Sequence, residues 1–302
     1  MRIVRHFLHS AFHCGDSFMA FLSFLFLLPM AIVVPPSHAS SRSLMIFAGA
    51  ASKPPTEEAA RLYRQNKGIE VHLTFGGSGF VLSQMKLARR GDVYFPGSSD
   101  FMERAKKENL VLGDTERIVT YLIPALNVQK GNSRNIRSLK DLARPGLRLG
   151  IADPETVCVG TYAVEVIEKN LNSMEKERLR RNLATTVESC EKTANIIALK
   201  TVDAVIGWRV FGHWDPARIE TVLLRPEEIP RIGYIPAAVS VFTGDRALAE
   251  DFIRFLLSSR VQEIFRKHGY LTRLEEARKF TLPETPVGGE YSLPAEWKRR
   301  GK

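Results

Sequence analysis

Four times along this chain a short apolar run ends in glycine, alanine and hydroxyl residues and passes straight into a helix-forming stretch, and that rhythm restricts the fold more than any other feature. The first run, LMIFA at 44–48, ends at Gly49 and leads into Ala50-Ala51-Ser52. The second, IEVHLTF at 69–75, alternates toward Gly76-Gly77-Ser78-Gly79. A third at 92–95 precedes Gly97-Ser98-Ser99, and a fourth at 147–152 precedes Thr156-Val157-Cys158-Val159-Gly160. Each run has strand length. Pro54-Pro55-Thr56-Glu57-Glu58 opens a helix with proline in its first turn and acids where the helix dipole favours them. Further helices are predicted over 80–89, 99–108 and 160–170. Strand, helix, strand closes most simply as a parallel pair, so the class is α/β.

The rest of the chain continues the pattern. An apolar stretch covers 118–128, and a short helix follows Ser138. The segment 174–183 reads as a charged, exposed helix, 190–199 as another helix and 204–208 as a strand. Residues 234–242 form the next strand candidate, and 245–268 carry apolar residues at helical spacing, which predicts one long helix. From 283 onward prolines and glycines predict an extended tail. No internal repeat interrupts this order.

At the start, Arg2 and Arg5 precede a nearly continuous apolar stretch from 18 to 34, followed by Ser37-His38-Ala39. This predicts a cleavable export signal over 1–39 rather than a membrane anchor, since Pro29, Pro35 and Pro36 and the small-residue exit favour cleavage. Cys14 lies ahead of the apolar run, not at its exit, and leaves with the signal. Losing Arg2, Arg5 and Asp16 takes the net charge from +10 to +9. The remaining length suits two domains, each with its own core. A basic exported chain favours anionic partners. Nucleic acid is set aside, because the lysines and arginines are scattered and no basic helix is interleaved with aromatics.

Open α/β sheets bind ligands beyond the carboxyl ends of their strands, which directs attention to the four loops. Backbone N–H groups at the starts of the following helices lack intrahelical partners and form a neutral socket for an anion. Ordinary helix capping explains any single loop equally well. Other chemistry lacks a pattern. His72, His213 and His268 are widely separated and show no metal-ligand spacing. No nucleophile elbow, phosphate-binding loop or dinucleotide fingerprint occurs. The adjacent pairs Glu57-Glu58 and Glu227-Glu228 read as solvated surface. No catalytic residue, cofactor or free metal is therefore expected.

IFAGAAS, FGGSG, GDVYFPGSSDFMERAKKENLV, LRLGIADPETVCVGTYAVEVI and VDAVIGW together resemble the periplasmic molybdate-binding proteins of ABC transporters. The resemblance covers most of 44–270, and the phrase DPE-x-V-x-x-G-x-YA is its most specific part. It implies a type II solute-binding protein in which two α/β lobes, joined by two hinge crossings, close over molybdate or tungstate. Lobe I would comprise 40–122 plus 236–282, lobe II 123–235, and the tail 283–302. Crossings are expected at 121–125 and 234–238. The implied ligand contacts are Ser52, with Ala51 competing for its place, then Gly77 and Ser78, and the amide of Val159. Ser98 and Ser99 join them from the third loop.

The chain departs from the family pattern near Gly207, where Trp208-Arg209-Val210-Phe211 contains no ligand tyrosine. Cys158 stands where proline is common, and Cys190 to Lys192 covers a region expected to supply another amide. Both cysteines would approach the mouth of the site. Three readings stay open for them: a disulfide, neutral buried thiols, or ligands for a soft species. Lys192 and Arg209 are candidates to supply positive charge, and each also fits an ordinary surface side chain. The implied partners are a small oxyanion and the permease subunits of an importer, with the protein a monomer. The alternatives are a thiol-dependent soft-metal or metalloid binder using Cys158 and Cys190, or a periplasmic oxyanion sensor.

Overall fold

The computed structural model describes residues 42–298, so the predicted export signal at 1–39 lies outside the described residues. Among the described residues ten strands form two sheets. They are β1 (Ser43–Gly49), β2 (Glu70–Gly76), β3 (Val93–Phe95), β4 (Arg117–Leu122), β5 (Pro124–Gln129), β6 (Leu149–Ala152), β7 (Leu183–Val187), β8 (Ala204–Trp208), β9 (Ile219–Leu223) and β10 (Gly233–Val239). The first sheet has the order β2-β1-β3-β10-β4 and the second β7-β6-β8-β5-β9. Each combines a parallel part with an antiparallel return. β1 runs parallel to β2 and β3 while β10 opposes β3 and β4; β6 runs parallel to β7 and β8 while β5 opposes β8 and β9.

The helices are α1 (Lys53–Lys67), α2 (Ser78–Ala88), α3 (Ser99–Lys107), α4 (Cys158–Asn170), α5 (Ser173–Asn182), α6 (Cys190–Ala198), the short α7 (Phe211–Trp214), α8 (Arg246–Leu256), α9 (Ser259–Lys267) and α10 (Leu274–Arg278). No helix among the described residues is long and apolar enough to cross a membrane.

The chain passes between the sheets twice. The expected apolar stretch at 118–128 is two strands in different sheets, separated by the buried Ile123. Pro124 can begin β5 because a strand's first residue need not donate to the ladder. The return passage runs over 224–232. Residues 234–238, expected at that crossing, lie inside β10, where Tyr234 pairs with Tyr121 and Ala238 with Tyr94.

Two further expectations are corrected. The single helix over 245–268 is α8 and α9, broken at Leu257 and Ser258. Ser258 adopts extended backbone and its hydroxyl donates to the carbonyl oxygen of Phe255 at 2.7 Å. Serine competes in this way with the intrahelical ladder. Glu228 is buried, not solvated, and meets Arg225 Nη2 at 3.0 Å.

Burial divides into two clusters. One fills the space between the first sheet and α1, α2, α3, α8 and α9, and runs on into Val157, Cys158, Tyr162, Cys190, Trp208 and Phe211. The other packs β5, β6 and β8 against α4 and α5, with Tyr291, Leu293 and Trp297 of the tail laid against it. The first cluster therefore continues across the junction of the two halves, at the ends of strands where the four loops lie.

Candidate ligand-binding site

The helices after the strands begin earlier than their sequence pattern predicts. α2 starts at Ser78 and α4 at Cys158, each two residues ahead of the expected position. Ser78, Gly79, Cys158 and Val159 thus occupy first helical turns, where N–H groups have no intrahelical acceptor. α3 begins at Ser99 with Ser98 as its extended cap residue, and α6 begins at Cys190 after Ser189.

These starts converge. Gly97 N donates to Ser78 Oγ at 2.9 Å, and Tyr94 Oη donates to the carbonyl oxygen of Ser78 at 2.9 Å. A Cβ on Gly97 would stand 2.5 Å from Cys158 Sγ and 2.7 Å from Ala51 Cβ, so glycine is what lets the loops of the two halves touch. Gly79 N donates to Thr156 O at 2.9 Å across the same junction. Cys158 Sγ and Cys190 Sγ are 3.5 Å apart and unbonded, as free thiols.

Of the residues expected to bind ligand, Ala51, Ser52, Ser78, Ser98, Ser99, Cys158, Val159 and Cys190 are all buried at or beside this junction. Their polar atoms differ in availability. Ser52 Oγ accepts from Thr56 Oγ1 at 3.1 Å, and Ala51 O accepts from Tyr270 Oη at 2.5 Å. Ser99 Oγ turns outward and donates to Gly289 O in the tail at 2.7 Å. Ser98 Oγ makes no hydrogen bond among the described residues. Gly77 packs against the opposite half, where a Cβ would meet Glu188 O at 2.7 Å and Thr156 O at 2.8 Å.

The two expected cations stand apart. Lys192 is exposed, its Nζ 2.7 Å from Glu188 and its amide capped by Ser189 Oγ. Arg209 donates to Gly269 O at 2.5 Å and lies 5.1 Å over the Phe280 ring, tying β8 to the segment after α9. Neither guanidinium nor ammonium points into the cluster of helix starts.

Sequence reasoning missed Tyr162 and Trp208 as site groups. Both are fully buried, their rings 4.8 Å apart edge to face, with the Tyr162 hydroxyl beside Ser99 and the Trp208 indole beside the Cys190 thiol. The signal was present, since a tyrosine or tryptophan placed inside usually finds a partner for its polar tip. Burial drives the Cys190 thiol pKa well above its ordinary value, the neighbouring Cys158 adds to this, and the Val159 amide and Trp208 indole oppose it only partly. The first helical turns of the site thus present neutral groups.

Arg231 was missed as well. This buried residue lies in the return passage; its Nε reaches Glu165 on α4 at 2.6 Å, its Nη2 reaches Asp100 on α3 at 2.8 Å, and its guanidinium lies 3.9 Å over the Tyr162 ring. An arginine between Pro230 and Ile232 was the available signal. Outside the cluster a cavity of about 630 Å³ opens, walled by Phe75, Phe80, Thr156, Glu188, Ser189 and Glu191 among others. Lys53 closes its rim by pairing with Glu191 at 2.9 Å. Among the described residues no group of three or more His, Cys, Asp or Glu side chains is placed to hold a metal ion.

Two α/β halves, joined twice and meeting at a cluster of helix starts, make this a two-domain periplasmic binding protein fold. The chain belongs to the bacterial extracellular solute-binding protein family, whose model matches residues 44–271. That family consists of non-enzymatic carriers that serve ABC transporters. A putative binding protein of Haemophilus influenzae is 30% identical over 202 residues, covering 66% of this chain and 79% of that protein. The molybdate-binding protein ModA of the same organism is 26% identical over 253 residues, covering 78% and 92%. Among solved structures, the periplasmic molybdate-binding protein of Azotobacter vinelandii superposes with a TM-score of 0.67 at 17% identity, covering 76% of this chain and 99% of that one. The sulfate-binding protein SubI of Mycobacterium tuberculosis gives 0.68 at 17% identity, covering 82% and 94%. At such identities the structural likeness speaks for the fold alone.

Proposed function

We propose that this carrier is exported to the periplasm by a cleaved signal and there captures a tetrahedral oxyanion, molybdate or tungstate, between its lobes for an importer's permease subunits. It acts as a monomer and performs no catalysis. The observation that carries the reading is the convergence of the first turns of α2 and α4 with Ser98 Oγ, a buried donor that makes no hydrogen bond among the described residues.

A dianion leaves water at great cost unless nearly every oxygen receives a hydrogen bond. Donors aimed at a charged acceptor form short, strong bonds. Without a fixed counter-charge, the site holds the anion by hydrogen bonds alone and can release it when the lobes part. Selection then follows cavity size and donor number, which favours the larger tetrahedral oxyanions over sulfate. The H. influenzae and A. vinelandii molybdate-binding proteins lend the ligand its name. In this reading Trp208 takes the position that a ligand tyrosine occupies in the family, Arg209 serves closure through Gly269, and Lys192 stays on the surface with Glu188.

Titration calorimetry of the exported protein with molybdate, tungstate, sulfate and phosphate tests the proposal. Molybdate and tungstate should bind most tightly. No heat with any of the four would overturn it.

A further inference from the structure

Two thiols in the cleft wall are chemistry that an oxyanion carrier does not need. Cys158 and Cys190 are each only 1% exposed and are the first residues of α4 and α6. Their sulfurs stand 3.5 Å apart, that of Cys158 directly against Gly97 of the opposite half. Ser98 Oγ, a buried donor with no hydrogen bond among the described residues, follows Gly97 in the chain, and the Trp208 indole lies beside the Cys190 thiol.

The separation discriminates among soft ligands. With sulfur bonds of about 2.3 Å, as to zinc, two sulfurs on one atom stand about 4.6 Å apart across a linear centre, about 3.8 Å across a tetrahedral one and about 3.5 Å across a pyramidal one. The observed spacing is that of two thiols in contact, close enough for both sulfurs to reach one atom, and lies nearest the pyramidal case. Soft monovalent cations held linearly by two thiolates would need the sulfurs drawn apart. A tetrahedral cation would need further protein ligands, and among the described residues no third His, Cys, Asp or Glu joins the pair. A pyramidal centre needs two sulfurs and brings its own third donor.

We propose that Cys158 and Cys190 form a chelating dithiol for a trivalent thiophilic metalloid hydroxide, of the arsenite class, bound in the same cleft. The inference rests on the two-lobed carrier reading but not on its preference for molybdate. Arsenous acid enters uncharged. Two of its arsenic–oxygen bonds break and two arsenic–sulfur bonds form; each departing hydroxide takes one thiol proton, so two water molecules leave and no electron is transferred. The remaining hydroxyl receives hydrogen bonds from Trp208 Nε1 and Ser98 Oγ. Protonated thiols suit this condensation, since no pair of thiolates has to be held side by side before the ligand arrives. The cavity bounded by Thr156 and Ser189, which precede the two cysteines by two residues and one, provides the approach.

The test titrates the reduced exported protein with sodium arsenite, alongside Cys158→Ser and Cys190→Ser. Native mass spectrometry should show one arsenic per chain, and maleimide labelling after unfolding should lose two thiols for each arsenic bound. Each single variant should bind at least ~100-fold more weakly, as expected when one arm of a two-point attachment is lost. If a serine variant fails to fold, thiol protection in the wild type decides alone. Two reactive thiols at saturating arsenite, or single variants that bind like the wild type, would overturn the inference. So would a Cys158–Cys190 bridge that mild reductant does not open. Molybdate is titrated in parallel: heat with molybdate and none with arsenite removes this inference only, and the reverse removes the oxyanion reading only.

Discussion

The backbone N–H of Gly79 donates to the carbonyl oxygen of Thr156 at 2.9 Å, hydrogen-bonding the first turn of α2 to the loop that starts α4 in the other half. Gly77 lies against the same carbonyl, and a Cβ there would be 2.8 Å from it. Contact between backbones at this range tolerates no side chain. Gly77→Ala is expected to hold the lobes apart, weakening oxyanion binding by at least ~10-fold, or about 1.4 kcal/mol. Calorimetry reads the affinity. Small-angle scattering should show a more open particle.

Ser78 Oγ already accepts from Gly97 N, so its hydroxyl proton remains to donate. Ser78→Ala removes that donor and leaves the Gly97 amide without its acceptor. Oxyanion affinity should fall by about 1–3 kcal/mol, as for a buried hydrogen bond lost on one side. Unchanged affinity would remove Ser78 from the site.

Arg231 is bonded to Glu165 and Asp100 with all three side chains largely withdrawn from water. Deleting Arg231 leaves Asp100 without its cation, while Glu165 keeps Lys169 at 2.9 Å; breaking such a buried pair costs about 3–5 kcal/mol. Arg231→Met should therefore lower the unfolding free energy by about that amount, measured by urea denaturation. A change below about 1 kcal/mol would mean the charges are solvated.

The α/β alternation was legible because β1, β3, β6 and β8 are short and apolar, and β1 and β3 run on into small residues. β7 and β9 were not read as strands. Both are edges of the second sheet, and in β7 exposed and half-buried positions alternate, as in LATTV, so no buried run advertises them. Antiparallel pairing of β10 and β5 was equally hidden, because an apolar run carries no mark of its direction. At the site, the loop residues that sequence nominated lie buried at or beside the junction, whereas the long side chains lie apart from it. Lys192 and Arg209 carry charge that looked suited to an anion, yet each is turned to a partner elsewhere. Conversely, Tyr162 was passed over, and its place against Trp208 at the junction shows only in the folded chain.

Asp203 provides a pH-dependent contribution to stability. Burial acts to raise its pKa, but Arg148, through its amide at 2.8 Å and its guanidinium, together with Arg134, outweighs burial and holds it below the ordinary 3.8. A carboxylate depressed in the folded state stabilises fully above its unfolded pKa and loses that contribution as pH falls through the folded value. The stability gap between wild type and Asp203→Asn should be constant near neutrality and shrink below pH 3.8. Urea titrations across that range measure it.

The most direct test is a crystal of the exported protein grown with molybdate and measured for the anomalous signal of molybdenum. The account predicts one strong peak between the starts of α2 and α4, with oxygens within hydrogen-bond reach of Ser78, Ser98, the Val159 amide and Trp208 Nε1. A peak on the outer surface, or a fully occupied ligand that touches none of these four residues, would contradict it.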